Sequence, residues 1–399
     1  MSVARAESPE VSRAGAVTGG AGASRIAFID NLRWSMILLV VSMHAADTYS
    51  PFGNWYYGDK AATGRMAAMA FGTYQVFLQA FFMSLLFAVS GYFARASLLR
   101  KGRALFLRDR FLRLGVPVVL YMLLIGPVTQ FYVAHSWHPP GGTPFWAEWW
   151  RHIVDGEVFS ESGPLWFCVA LLGFCLVYAG IGAARPARID GKAGKPPSFV
   201  ALLGFIAALA AATFAIRLAI PEGRAILNLE LGDFGQYVLM FAAGIAAHRS
   251  GWVARWPSAA GRYWLAAGVV LGLAGWVLIV ALGGALDGRF DAYAGGWHWP
   301  AAAKALWESF VCVALSLGLL TLYRDRLNVS NPLFAFLSAN AFAVYVFHPP
   351  ILIAVTRLIS HWPAPVGSKF LAAWALAIVG SYLFAALVAR RMPALRAVL

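Results

Sequence analysis

Arg33 and His44 both fall within Ile29 to Thr48 (IDNLRWSMILLVVSMHAADT), a run long enough to cross a membrane. Charged and titratable groups inside a bilayer are costly, so they are functional candidates by default. Eleven residues at about 100° each turn about 1100°, which is three turns and about 20° more. Both side chains therefore lie on one helix face, about 16 Å apart along its axis. That face presents a cation near one membrane surface and an imidazole deep inside. The pair suits a site that holds an anionic carrier at one end and does proton chemistry at the other.

Other residues extend this pattern. His44 has Asp47 at i+3 as its close ionisable neighbour. Desolvation favours the neutral imidazole, which is the form that can take a proton from a hydroxyl. The structural alternative is a His hydrogen-bonded inside a bundle, and for Arg33 it is a snorkelling cation paired with Asp30. Arg110 and Arg113 (RDRFLRLGVP) share a face at i,i+3 and could grip phosphate oxygens; the plainer account is a basic anchor at the membrane surface. His348 lies in ANAFAVYVFHPPILIAV, at a depth similar to that of His44 on a span of the same direction. Pro349 and Pro350 cannot donate to the carbonyls of Tyr345 and Val346, which are left to line a polar cavity or to accept from a neighbour. Glu308, in KALWESFVCVALSLGLL, needs a partner at such depth, and His44 or His348 is the expected one.

The elements that must position these residues follow from composition. The chain has 399 residues, of which 60% are hydrophobic and 13% charged, with mean hydropathy +0.66. A soluble domain would carry about a quarter charged residues. Ten candidate spans can be drawn, roughly 29–48, 71–93, 114–134, 164–183, 198–218, 234–248, 263–283, 303–323, 333–357 and 369–389. The sixth is short and starts beside the polar Asp233 and Gln236. The fold expected is all-α, a polytopic helical bundle. Net charge is +14, and most of the Lys and Arg fall in alternate connecting segments. The richest is Arg95 to Arg113. This is the positive-inside pattern, so the basic charge speaks of topology and not of nucleic acid, and both termini are expected in the cytoplasm. Residues 1–24 read as a disordered cytoplasmic tail without the apolar core of a signal peptide, 25–392 as the membrane domain and 393–399 as a cytoplasmic tail. Cys168, Cys175 and Cys312 lie in apolar runs without metal-ligand spacing. The segments 49–66, 135–163 and 287–300 are rich in Trp and Tyr with scattered acids, which suits an interfacial belt and also the stacking of sugars.

Taken together, these pieces resemble the membrane acyltransferase-3 family. Arg33-x10-His44 is similar to its first-helix motif and Arg110-x-x-Arg113 to its second arginine motif. FFMSLLFAVSGYFAR (81–95), GPLWFCVALL (163–172), FAAGI (241–245) and AFAVYVFHPPIL (341–352) add to the likeness, which runs from about residue 25 to 392. Within the family, FIDNLRW, WYYGD and VYVFHPPI look closest to enzymes that succinylate osmoregulated periplasmic glucans. The resemblance implies an acyl-CoA donor, acetyl or succinyl, on the cytoplasmic side and a carbohydrate hydroxyl as acceptor. It implies no permanently bound cofactor. His44 carries over as the essential catalytic residue, and Arg33, Arg110 and Arg113 as residues needed for activity through the CoA phosphates. His348 and Glu308 sit where this branch often has a His and an acid.

The reading is therefore an O-acyltransferase of the bacterial inner membrane, with His44 as general base and Glu308 or His348 orienting the hydroxyl. A covalent acyl-His relay is an open alternative. The rival class is a proton-coupled transporter or flippase of an anionic or sugar-bearing solute. The sequence shows neither inverted-repeat symmetry nor paired Gly/Pro breaks in two halves, which disfavours it.

Overall fold

The computed structural model describes residues 27–59, 63–133, 142–184 and 194–396. The expected tail at 1–24 lies outside them. In the last expected segment, Pro393–Arg396 form a short helical turn, and 397–399 lie outside the described residues.

Among the described residues, each of the ten expected spans is a helix: α1 (Ala27–Tyr49), α2 (Arg65–Lys101), α3 (Arg103–Phe131), then after the short surface helix α4 (Phe145–Val154), α5 (Trp166–Ala184), α6 (Phe199–Ala219), α7 (Phe234–Ser250), α8 (Ser258–Gly283), α9 (Trp299–Arg326), α10 (Pro332–Leu358) and α11 (Val366–Leu387). Eight of them are long and apolar enough to cross a membrane by length and composition. The other two are α1 and α7. Helix α7 has only 17 residues. In α1, Asp30, Arg33, His44 and Asp47 pull down the hydropathy of an otherwise apolar segment. This is a multi-pass membrane protein.

The third span begins well before the expected residue 114 and is not a uniform helix. It contains π-helical stretches at Phe111–Gly115 and Tyr121–Ile125, and a third, Val128–Val133, runs past its end. The amides of Val116 and Gly126 bond five residues back, to Phe111 O and Tyr121 O. Pro117 has no amide to continue the α-helical ladder, which gives the widening a local cause.

Helix pairing depends on small residues that let backbones meet. A Cβ on Gly244 of α7 would lie 1.9 Å from Ala88 O of α2, and one on Gly91 of α2 would lie 2.1 Å from Phe241 O of α7. Gln236 bolts the same pair by donating to Ala80 O (2.8 Å) and Ser84 Oγ (2.7 Å). Such close approach is how helices associate where no water drives them together. On the other side of the bundle, Asn31 of α1 donates to Leu327 O (2.7 Å) and Val329 O (2.9 Å) ahead of α10. Helices α1 and α10 then run side by side and bring His44 next to His348. Gly244→Val should force α2 from α7 at a cost of about 1–3 kcal/mol. A thermal-unfolding scan of the purified protein checks this; an unchanged midpoint contradicts the packing described.

Candidate active site

Four connecting segments converge on one end of the bundle: 52–56, 160–164, 222–230 and 285–294. With the adjoining ends of α1, α2 and α9 they line an open cavity of about 1220 Å³. His44, Asp47, Gln75, Gln79, Lys304, Glu308 and Tyr345 lie on its wall, with Trp55, Trp166, Trp276 and Tyr293 as aromatic faces. A short hairpin, Ala225–Ile226 paired with Leu229–Glu230, forms part of the rim. Leu227 and Asn228 take positive φ at its turn (50° and 60°), and Asn228 Nδ2 donates to Ser162 Oγ (3.0 Å) and Gly163 O (2.8 Å). The rim segments are thereby tied to each other.

His44 is held by a carboxylate. Its Nδ1 lies 3.1 Å from Asp47 Oδ2, one helical turn on. Asp47 is buried, and its other oxygen accepts from Gln75 Nε2 of α2 at 2.5 Å. Gln75 Oε1 in turn accepts from Ser50 Oγ at 2.6 Å. A carboxylate at Nδ1 assigns the imidazole proton to that nitrogen and leaves Nε2 as the basic one. The chain from Ser50 to His44 thus fixes the tautomer and the orientation of the ring.

His348 is fully buried beside His44, with ring centroids 5.4 Å apart. Its Nδ1 donates to Tyr345 O at 2.8 Å, one of the two carbonyls that Pro349 and Pro350 leave free. Its Nε2 is buried with no hydrogen-bond partner among the described residues. The similar depth expected for the two imidazoles is therefore what the fold delivers.

Glu308 requires a correction. It was expected to pair with His44 or His348, but it pairs with cations. Arg217 of α6, almost wholly buried, bonds Glu308 Oε2 through Nη1 (2.7 Å) and Asp233 Oδ1 through Nη2 (2.5 Å). Lys304 lies 3.5 Å from Glu308 and bonds Glu222. Gln79 and Tyr237 complete Asp233, donating to its Oδ2 at 3.0 and 3.2 Å. The physical reason is charge: a buried carboxylate gains far more from a guanidinium and an ammonium than from neutral imidazoles. Glu222, in the connection after α6, is pushed up by burial, yet Lys304 and Arg217 outweigh that and hold it at about 2. Nearby Glu230 is raised to about 7, by burial first and then by Asp233 and Glu222.

The arginines lie elsewhere. Arg33, Arg110 and Arg113 are not among the residues lining the cavity. Arg33 is more than half exposed, 3.8 Å from Asp30. Arg110 stacks its guanidinium over Phe106 at 5.2 Å, and Arg113 is exposed at the first π-helical stretch. Arg33 sits near the start of α1 and the other two near the start of α3, away from the cavity-bearing ends of those helices. The cavity therefore serves the imidazole end of the Arg33–His44 pair. Several participants carry no role in the sequence analysis, Lys304, Arg217 and Gln75 foremost. Lys304 stands at i−4 from Glu308, a spacing that reports a helical ion pair. Arg217 is a cation in an apolar span. Gln75 gave no signal beyond polarity within a span.

The acyltransferase-3 family model, described as an acyltransferase domain, matches residues 26–390, and the chain belongs to that family. Membership makes it a membrane acyltransferase. Comparison with curated proteins and with solved structures found no match.

Arg217→Met would leave Glu308 and Asp233 buried with much of their compensation gone, a loss of about 3–5 kcal/mol. Adding Glu308→Gln should recover part of it. The midpoints of thermal unfolding of the two variants test the network, and equal midpoints for wild type and Arg217→Met would remove it from the account.

Proposed function

We propose that this protein transfers an acyl group, succinyl or acetyl, from acyl-CoA to a hydroxyl of an envelope carbohydrate such as a periplasmic glucan, at the bacterial inner membrane. The observation that carries the reading is the Asp47-held imidazole of His44 on the wall of a large cavity with aromatic and carboxylate walls. Aromatic faces suit the C–H faces of a sugar, and carboxylates suit its hydroxyls.

His44 Nε2 takes the proton of the acceptor hydroxyl. The oxygen attacks the thioester carbon, the carbon–sulfur bond breaks, and the thiol departs with the proton returned by the imidazolium. Asp47 stabilises that imidazolium and keeps the ring aimed. His348 supports His44 from the side. Glu308, already bound to Arg217 and Lys304, lines the cavity where its carboxylate can accept from a sugar hydroxyl. Arg33, Arg110 and Arg113 hold the CoA phosphates at the opposite end of the bundle, where bidentate guanidiniums suit phosphate. No separate observation favours a carrier over a transferase.

His44→Ala should fold and insert yet transfer no acyl group from labelled succinyl- or acetyl-CoA to glucan; normal turnover would overturn the mechanism. Asp47→Asn should keep the fold and reduce turnover by about a hundredfold, since it removes the charge that supports the imidazolium. Arg110→Ala should raise the KM for the CoA donor more than it lowers kcat, and an unchanged KM would detach it from the donor site.

A further inference from the structure

The loop after α1 lays a tryptophan on the proposed base. The rings of Trp55 and His44 are nearly parallel, 14° between planes, with centroids 4.1 Å apart. Trp55 and His348 are also parallel, at 6.2 Å. That separation is much shorter than a linear stack of the three rings would give, so His348 lies to one side of His44 and the indole covers the His44 face. Trp55 Nε1 is buried with no hydrogen-bond partner among the described residues. A buried donor left unmade costs about 1–3 kcal/mol, so the placement is imposed by the rest of the loop.

The imposition is visible. Asp59 N donates to Thr48 O at 2.8 Å, and the Asp59 carboxylate lies 3.3 Å from Lys369 of α11. Thr63 Oγ1 donates to Tyr49 O at 2.6 Å. Tyr56 OH meets Tyr121 OH of α3 at 3.2 Å, next to Trp55 in sequence. Gly53 brings the loop backbone onto the dyad itself: a Cβ there would stand 2.5 Å from Asp47 Cα and 2.7 Å from its Oδ1. The strap is thus seated on the base–carboxylate pair and pinned on both sides of Trp55.

We propose that Trp55 is a positioning residue that decides whether a sugar hydroxyl or water receives the acyl group; this rests on the transferase reading above. In transfer, the hydroxyl loses its proton to His44, its oxygen bonds to the thioester carbon, and the thiol leaves with that proton. Water in the same place follows the same path and yields a free carboxylic acid and the same thiol. His44 accepts in its ring plane, at Nε2, and the stacked indole bars approach from above that plane and fixes the ring, so that Nε2 is reached along the cavity wall where the sugar hydroxyl is held. Excluding water from a reactive thioester is what a closed strap contributes to a transferase.

The test uses the purified full-length chain in phospholipid nanodiscs, with acyl-labelled succinyl-CoA, acetyl-CoA in parallel, and linear glucan oligosaccharides. Thiol release and label on glucan are measured together. Wild-type protein should release one thiol per acyl group transferred. Trp55→Ala should raise the ratio of thiol to labelled glucan about tenfold, through hydrolysis at the uncovered base. Trp55→Phe should restore the ratio, because the ring face is kept. Gly53→Ala, which touches no ring, should raise the ratio as well by lifting the strap from Asp47. If Trp55→Ala does not fold, Trp55→Leu and Gly53→Ala make the same comparison. Thiol release and transfer falling in step, with the ratio unchanged, would show that Trp55 serves the fold alone and overturn the proposal. Wild-type protein that labels no glucan from either donor would overturn the proposed transfer from acyl-CoA to glucan, a separate and recognisable failure.

Discussion

A buried guanidinium sets the terms for this molecule. Arg217 can stay inside the bundle only because Glu308, Asp233 and, further off at 3.6 Å, Glu222 surround it. Those acids come from α9 and from the connection between α6 and α7. Satisfying one cation therefore fixes the relative placement of three helices. Lys304 adds a second cation on the cavity side, so the wall on which Glu308 and Glu222 stand is electrically closed. The wall of the cavity is a consequence: Arg217, buried behind it with no solvent to turn to, holds Glu308 and Asp233 in place.

Across the cavity a different logic holds. His44, Asp47, Gln75 and Ser50 form a chain of hydrogen bonds with little room for alternatives, since every member has its partner chosen by the next. The two walls differ in kind. One presents carboxylates with their counter-ions to the cavity, and the other presents the Asp47-held imidazole of His44. The proline pair of α10 links to the second wall by freeing Tyr345 O, which then orients His348.

How much of this was legible in the sequence depends on the range of each interaction. The spans were legible because apolar runs of twenty residues report burial in lipid with no tertiary information. The shared depth of His44 and His348 followed from counting along two helices. The Asp47 contact was within reach as an i+3 neighbour. The partner of Glu308 was not, because Arg217 stands ninety-one positions away and only the packing of α6 on α9 joins them. Lys304, one turn away in α9, is nearer and legible as an i−4 neighbour. Trp55 read as one of many aromatic residues in an outer segment; its role is set by a loop path that Gly53, Asp59 and Thr63 define together. The π-helical stretches of α3 follow from competition within one backbone ladder, for which apolar content carries no signal.

The ion pairs of the cavity wall also bear on how the chain is made. Arg217 and Asp233 face each other across the connection of the α6–α7 hairpin, and Lys304 and Glu308 sit one turn apart within α9. As the ribosome delivers the chain, each of these units reaches the membrane with its own counter-ion aboard. Neither hairpin nor helix has to wait in lipid as a naked ion for a partner not yet synthesised. The contacts of Arg217 with Glu308 and of Lys304 with Glu222 then join these two units, and with them the cavity acquires its wall.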